Sequence, residues 1–523
     1  MRILWRFLKE NRSQALAWLT GLMLLLQVMN LHSYVVQAVD HQAIVAAGDD
    51  DASWNLAKTV KTRWWKDNGW FLYGPFYFRV NHTIHYLWGR TAAIRGESPT
   101  QNWEQTAHHA IMTTSLLSLA ALALLIASTM LTDWWTRFLL AFGLLAAFTS
   151  DATFAELVLR AHPDMLLCLC FAGAMWLTIR MLQKPGDSLW FYLSASVWGI
   201  SMGVKAALPL MIPGFVILFV PPFKRERFLL GLKYAGAMFL AYFVVGFPQT
   251  IVLDRPFKLF AKVGTLNVPA TLDSVGRWLV IYGHQLWAPV LLIFVFALFF
   301  STRRFELDRK GTLRLTIFVV LPFLSLLTRN VLVPFEHYPL PIDAALLVFL
   351  AALVAPKIPT LWPGRFDLLR GGMVLAAILF VWGSTPHAMQ VQLDRWMKCR
   401  TEARETLNEI TKLYHEGLNV WVDPYVPYLT DAPKSRMEVS WEKTWSGFAA
   451  GDWAVLALNR GYVQRYASPH DPDPSTQADV PGWRPVREFY LAFINGDEAK
   501  TPTGVVFKRT YQNSCGMEIW RRQ

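Results

Sequence analysis

The sequence predicts a polytopic α-helical membrane protein with a C-terminal soluble α/β domain. Of its 523 residues, 54% are hydrophobic and only 17% are charged, and the mean hydropathy is +0.27. The 24 tryptophans fit a protein with many lipid–water interfaces, where indole rings accumulate. Apolar runs of spanning length alternate with short polar loops, so the hydrophobic residues predict about eleven membrane helices instead of several soluble cores.

The lengths of the apolar runs define the spans, since a membrane helix needs about 20 apolar residues. The stretch 188–221 is too long for one helix and predicts two short helices with Lys205 at the turn. The predicted spans lie near 14–37, 108–131, 134–150, 164–183, 188–203, 206–221, 227–251, 278–300, 312–328, 338–355 and 370–389.

Basic residues in alternate loops predict the orientation. Lys and Arg are enriched in short cytoplasmic loops, and every second gap between spans contains at least one of them. The N-terminus is therefore expected in the cytoplasm, followed by an uncleaved first span, and the expected location is the cell inner (plasma) membrane. The loop 38–107 and the C-terminus then lie on the periplasmic or extracellular side. The basic gaps are 132–137, 180–184, 224–227, 303–310 and 357–370.

The composition changes after the last span and predicts two domains, a transmembrane domain over 1–390 and an α/β domain over 391–523. Residues 394–416 have the pattern of an amphipathic helix. Short β-rich runs at 418–423, 453–458 and 489–493 predict strands, and 504–508 with 517–520 predicts a closing hairpin. The basic loops explain the net charge of +12. Nucleic-acid binding is not predicted, because it would need basic residues clustered in a soluble segment, and the sequence contains no such cluster.

An acidic loop shortly after the first span is the first candidate site. Asp49, Asp50 and Asp51 follow Gly48 and precede Trp54. A solvated loop or a helix N-cap is the plain alternative, because Asp favours that position. A carboxylate at the membrane surface is also able to accept a proton from an acceptor hydroxyl or amine as a general base.

Four further elements fall on the same predicted side of the membrane. An aromatic belt, helix capping and lysine snorkelling are the ordinary structural explanations. Ionisable groups at membrane depth are nevertheless costly and tend to mark function. The elements are the aromatic segment with Tyr73 and Tyr77, the group Arg160, His162 and Asp164 at the start of a span, Lys205 at the end of one, and Glu336, His337 and Tyr338 before a later span.

In order along residues 10–355, these elements resemble the motifs of the GT-C glycosyltransferase superfamily, which includes protein O-mannosyltransferases and lipid A aminoarabinose transferases. Asp50-Asp-Ala-Ser-Trp resembles its Asp-Glu-x-x-Tyr pattern, and Tyr73-Gly-Pro-Phe-Tyr resembles its Pro-Pro-Leu-Tyr segment. Arg160-Ala-His-Pro-Asp resembles its second acidic element. Gly203-Val-Lys205 resembles a span end that contains Lys, and Glu336-His-Tyr-Pro-Leu-Pro resembles a late element that commonly begins with Arg.

The resemblance implies a GT-C-like fold and inverting sugar transfer from a polyprenyl-phosphate-linked donor to a glycan, lipid or protein acceptor on the outer face. It assigns Asp50 as general base, with Asp51 and Asp164 as further acids. It assigns Tyr73, Tyr77, Arg160, His162, Glu336 and Tyr338 to substrate binding. Donor-phosphate contact is expected at Lys205, with Arg255, Lys258, Lys262 and His337 as further candidates. The carboxylates are compatible with Mg²⁺ or Mn²⁺, although no His/Cys spacing predicts a metal.

Two other classes of function remain alternatives at this point. A lipid or solute transporter is expected to place ionisable residues near the membrane midplane and to use broken helices or repeats. The candidate residues here lie at span ends, and no internal repeat is evident in the sequence. A non-catalytic scaffold would recruit partners through the C-terminal domain and would not need Asp50.

Cys399 and Cys515 are predicted to form a disulfide bond, because both lie in the segment placed outside the cytoplasm, where disulfides persist. Cys168 and Cys170 lie within a predicted span and are expected to be packing residues. Intact-mass analysis with and without reductant should reveal one bond in the native protein. Two free thiols at Cys399 and Cys515 would contradict the prediction.

Overall fold

A computed structural model describes two continuous stretches, 163–205 and 224–247, together with parts of the rest of the chain. Isolated helical positions are described at 29, 33, 215, 219 and 317, within 76–90, within 340–348 and within 390–415. In the C-terminal region the described residues are 419–422, 454–459, 496–500, 504, 506–513 and 517–523.

Two helices form a tight hairpin at the centre of the described membrane region. Helix α1 spans Pro163–Gln183 and helix α2 spans Ser188–Val204. Proline is tolerated at the first position of α1, where its missing N–H has no partner to lose. In the turn, Gly186 takes a φ of 98°, and the Asp187 carboxylate accepts a hydrogen bond of 3.0 Å from the Leu189 amide. The predicted spans 164–183 and 188–203 are confirmed as helices.

Helix α2 ends at Val204, and Lys205 is extended, with φ −154° and ψ 145°. The chain therefore leaves the helix at the residue where the sequence predicted a break. Positions 215 and 219, in the next predicted span, are again helical. At 17 residues, α2 is about 25 Å long, which is shorter than the hydrocarbon core of about 30 Å.

Helix α3 spans Arg225–Gly246 and packs against α2 through a Gly-x-x-x-Gly pair. A Cβ atom at Gly199 would lie 2.9 Å from the Met238 carbonyl carbon and closer still to its oxygen, and one at Gly203 would lie 2.8 Å from Val245 Cγ2. Small residues of this spacing let two membrane helices approach closely. The two glycines therefore fix which part of α3 lies beside which part of α2.

The predicted span 227–251 is correct as a helix, but its predicted end was wrong. Helix α3 ends at Gly246, and Phe247 is extended with ψ 139°. The next residue is Pro248, whose ring disfavours helical geometry in the residue before it. Apolar residues continue beyond Gly246 in the sequence, so a prediction from hydropathy alone placed the end of the helix too late.

Of the described helices, α1 and α3 are long and apolar enough to cross a membrane. Helix α1 is mostly covered by protein, whereas α3 leaves large apolar side chains exposed along its length. A lipid environment stabilises such a surface, whereas water does not. The exposed set on α3 includes Phe228, Leu229, Leu230, Leu232, Phe239, Leu240, Phe243 and Val244.

A buried chain of hydrogen bonds joins the three helices. Thr178 Oγ1 lies 2.9 Å from Ser194 Oγ, which lies 2.7 Å from Tyr234 Oη. Trp198 Nε1 donates to Thr178 Oγ1 at 3.1 Å. All four side chains are buried, so each polar group depends on its neighbour for a partner.

The C-terminal region contains a five-stranded sheet, as the sequence predicted in part. The strands are β1 Asn419–Val422, β2 Ala454–Asn459, β3 Glu498–Lys500, β4 Val506–Gln512 and β5 Met517–Arg522, in the order β1-β2-β5-β4-β3. β1 and β2 are parallel, and the remaining pairs are antiparallel. The predicted strands at 418–423 and 453–458 and the hairpin β4–β5 are confirmed, while 489–493 lies outside the described residues.

A short charged edge strand and a helix complete the described part of this sheet region. β3 was not predicted, because three residues with two charges carry almost no strand signal. The helical positions within 390–415 agree with the predicted amphipathic helix, whose Thr406 is buried and accepts a hydrogen bond from Asn513. Arg509 pairs with Asp497 and with buried Glu518, which ties the start of β3 to the hairpin.

The chain divides into two compact units, with α1 to α3 in one and 393–523 forming most of the other. The predicted domain boundary at 390/391 stays a prediction. Cys168 and Cys170 are buried in α1, in agreement with a packing role. Cys399 and Cys515 lie outside the described residues, so their predicted disulfide is not tested.

Replacing Gly199 by Ala should destabilise the α2–α3 contact, because the new methyl group meets the Met238 backbone. We expect the overpacking cost of about 2 kcal/mol to outweigh the gain of about 1 kcal/mol in helix propensity. Thermal unfolding in detergent measures the difference. Gly236→Ala in α3 is the matched control: a Cβ there meets nothing within 4 Å, so its midpoint should stay equal or rise. Equal midpoints for the two variants would contradict the close contact.

Candidate active site

An ion pair closes the open end of the α1–α2 hairpin. Lys205 Nζ lies 2.7 Å from Asp164 Oδ1, although the two residues are 41 positions apart in sequence. The Asp164 side chain is 1% exposed and that of Lys205 is 17% exposed. Asp164 stands in the first turn of α1, where the helix dipole also favours a negative charge. Both charges are thus partly withdrawn from solvent and compensate each other.

The hairpin geometry explains why these two residues meet. Helix α1 begins one residue before Asp164, and α2 ends one residue before Lys205. Because the helices are antiparallel and joined by a short turn, the start of one lies beside the end of the other. The sequence placed both residues on one side of the membrane but gave no reason to pair them.

A helical segment within 76–90 docks at this same end of the hairpin. Phe76 Cβ would lie 3.2 Å from a Cβ atom at Gly203, two residues before Lys205. The Arg79 guanidinium donates hydrogen bonds to the carbonyl oxygens of Val245 and Phe247, at the C-terminus of α3. Partial burial lowers the pKa of Arg79 from its ordinary value, but an arginine remains charged at neutral pH.

The structure therefore brings Asp164 and Lys205 into contact, and it places the start of the aromatic segment, at Phe76, beside Gly203 near them. Tyr77 lies between Phe76 and Arg79 and is 3% exposed. Its burial agrees with a place in a packed wall. The other predicted site residues lie outside the described residues, and their assignments stay predictions. They are Asp50, Asp51, Tyr73, Arg160, His162, Arg255, Lys258, Lys262, Glu336, His337 and Tyr338.

The opposite end of the hairpin is basic and aromatic. The Arg180 guanidinium lies 5.9 Å from the Trp176 ring centroid, and Lys184 Nζ lies 6.0 Å from that of Trp190. The two indoles are in edge contact, with centroids 5.8 Å apart. These are basic residues of a loop that the sequence places in the cytoplasm. The Asp164–Lys205 pair and the basic loop thus occupy opposite ends of the same two helices.

Arg79 and Gly203 were not among the predicted site residues. Gly203 begins the motif Gly203-Val-Lys205, and Arg79 follows the aromatic motif by two residues. The sequence of α3 offers one hint of this role, because its last turn has no basic residue to bond its terminal carbonyl groups. Which residue from elsewhere in the chain bonds them depends on the tertiary structure.

Among the described residues, no group of three His, Cys, Asp or Glu side chains is arranged to hold a metal ion. Asp164 is the acidic residue described at this end of the hairpin, and its described partner is an ammonium group.

Breaking the ion pair from one side should destabilise the protein. Asp164→Asn and Lys205→Met each leave a largely buried charge without its partner, and we expect each to lower the free energy of unfolding by about 3 kcal/mol. The double variant should recover more than half of that loss, because no unpaired charge remains. Chemical unfolding in detergent measures the cycle, with exposed Lys184→Met as control. Simple additivity of the two single variants would contradict a coupled pair.

Two solved structures are similar to this chain over most of its length, and both are of ArnT from Cupriavidus metallidurans. The structure bound to undecaprenyl phosphate aligns with a TM-score of 0.49 and 10% identity, over 97% of this chain and 98% of that chain. The apo structure aligns with a TM-score of 0.47 and 13% identity, over 83% and 93%. No protein-family model and no curated protein matches the chain.

Proposed function

We propose that this protein is an inverting membrane glycosyltransferase that transfers a sugar from a polyprenyl-phosphate-linked donor to an acceptor on the outer face of the membrane. The acceptor class is a glycan, lipid or protein. Asp50 is proposed as the general base, and Lys205 as a contact of the donor phosphate. The observation that carries the proposal is the meeting of Asp164, Lys205 and the start of the aromatic segment at one end of the α1–α2 hairpin.

That meeting supports the proposal because Asp164, Lys205 and the aromatic segment come from separate motifs. Asp164 and Lys205 lie 2.7 Å apart, and the segment containing Tyr77 packs against Gly203 beside them. Residues that only anchor a helix at the interface do not need to converge. A shared site explains the convergence, since reacting groups have to surround one substrate.

The proposed chemistry uses a lysine and a carboxylate in different roles. Asp50 removes the proton from the acceptor hydroxyl or amine as its lone pair attacks the anomeric carbon. The bond from that carbon to the donor phosphate oxygen breaks, the polyprenyl phosphate leaves with the electron pair, and the anomeric configuration inverts. A cation at the leaving phosphate stabilises the charge that develops there. Lys205 has the required charge and stands at a helix end, where a lipid phosphate lies.

The placement of the charges favours a transferase over a transporter. Asp164 is in the first turn of α1, and Lys205 follows the last residue of α2. Coupling residues of transporters commonly lie near the membrane midplane, beside unwound helix segments. The buried hydroxyl groups of Thr178 and Ser194, on α1 and α2, are instead neutral, and Ser194 bonds both Thr178 and Tyr234 of α3.

Replacing Asp50 by Asn tests the assignment of the base. We expect sugar transfer from a polyprenyl-phosphate donor to fall at least about 100-fold, because a general base contributes about 10² to 10⁴ to the rate. The measurement is transfer of labelled sugar in membranes containing equal amounts of folded protein. Asp49→Asn, which removes the same charge from the same loop, is the control and should retain most activity. Undiminished transfer by Asp50→Asn would remove Asp50 as the base.

A further inference from the structure

We propose that Arg79 is a positioning residue of the proposed transfer site: its guanidinium holds the 76–80 end of the 76–90 segment on the ends of α2 and α3, beside Lys205. The inference rests on the proposed function for its consequence, but the contacts that carry it are independent of any substrate. It gives a defined role to a residue that the motif resemblance left unassigned.

The first observation is the pair of carbonyl groups that Arg79 bonds. The last carbonyls of a helix have no partners within that helix. Helix α3 has no basic residue in its last turn, and its C-cap Phe247 is extended. Arg79 donates to the oxygens of Val245 and Phe247 from 166 and 168 positions away in sequence. A cation from another segment therefore caps the C-terminus of α3, where the helix dipole favours it.

The second observation is a contact one helical turn earlier in the segment. Phe76 packs against Gly203 of α2, where a Cβ atom would lie only 3.2 Å from that of Phe76. The segment thus touches α2 through Phe76 and α3 through Arg79. Two contacts on neighbouring helices fix both the position and the rotation of a short helix, whereas one contact would leave it free to pivot.

The exposure of the side chains also differs between the two ends of the segment. Phe76, Arg79 and Val80 are partly buried and Tyr77 is almost fully buried. The later described positions, 83, 86, 87 and 90, are all exposed. The segment is therefore held at its beginning. Loss of the Arg79 contacts removes charge-assisted hydrogen bonds from that held end and not from the exposed one.

The consequence concerns the wall of the site. Gly203 is two residues from Lys205, so the contact that seats Phe76 places the start of the 76–90 segment beside the end of α2 at which Lys205 bonds Asp164. If the segment detaches from α3, this side of the proposed site is lost. The apparent affinity for the donor and the rate of transfer then fall with the fraction of molecules in which the segment is docked.

Labelling of a buried reporter tests the docking directly. A Tyr77→Cys reporter in detergent-solubilised protein should react slowly with a maleimide, because the native side chain is buried. Adding Arg79→Gln should raise the rate at least about tenfold, the effect expected when hydrogen bonds to a charged group are lost. Peptide mass spectrometry distinguishes position 77 from the natural cysteines. Arg90→Gln is the matched control, since Arg90 is exposed and donates its described hydrogen bonds to Tyr86 of the same segment. It should leave the rate unchanged.

Hydrogen–deuterium exchange covers the case in which the cysteine reporter itself disturbs the fold. With Tyr77 intact, Arg79→Gln should speed amide exchange in 76–80 and in the last turn of α3, and leave α1 unchanged. A general loss of stability would instead speed exchange in all three helices. An unchanged labelling rate with unchanged exchange, or a uniform increase in exchange, would overturn the docking.

Transfer kinetics connect the docking to the site. We expect Arg79→Gln to lower kcat/KM at least about tenfold and Arg79→Lys to restore part of it, because the ammonium keeps the charge but bonds fewer carbonyls. Faster labelling with unchanged transfer would overturn the positioning role. If the wild-type protein transfers no sugar, the proposed function fails, and the labelling and exchange results still decide the docking.

Discussion

The close approach of α2 and α3 at Gly199 and Gly203 is the contact on which the described membrane region depends. Membrane helices gain little from burying apolar surface against each other, because lipid is equally apolar, so backbone proximity and interhelical hydrogen bonds carry the association. With glycine at both positions, the Met238 backbone and the Val245 side chain fit directly against α2. The Thr178–Ser194–Tyr234 chain of hydrogen bonds then fixes α1 to the same pair.

The position of α3 along α2 has consequences at the end of the helices. Because Val245 lies against Gly203, the C-terminus of α3 lies near Lys205, within reach of Arg79. The ion pair, the capped helix end and the docked 76–80 residues are therefore parts of one arrangement. A change in the depth of α3 would move all of them together, so packing at Gly199, six residues before Lys205, still bears on the site.

The helices of this region could be predicted closely because a membrane restricts the choices. Backbone groups in lipid need internal hydrogen bonds, so an apolar run of sufficient length becomes a helix. The predicted starts and ends of α1 and α2 agree with the structure to within one residue. The end of α3 was missed because hydropathy continues where the backbone of Phe247 turns away before Pro248. In the soluble region, apolar strands were found, but the charged strand β3 was not.

By itself, the sequence determined where helices α1 and α2 begin and end, and which charged residues lie at their ends, because these follow from composition and periodicity along the chain. It also placed Tyr77, Asp164 and Lys205 in motifs that resemble those of the GT-C superfamily. Only the tertiary structure decided that Lys205 pairs with Asp164 across 41 positions and that Arg79 caps α3 across 166. Such partners are set by which helices lie side by side, and that depends on shape complementarity between distant segments, which no local pattern records.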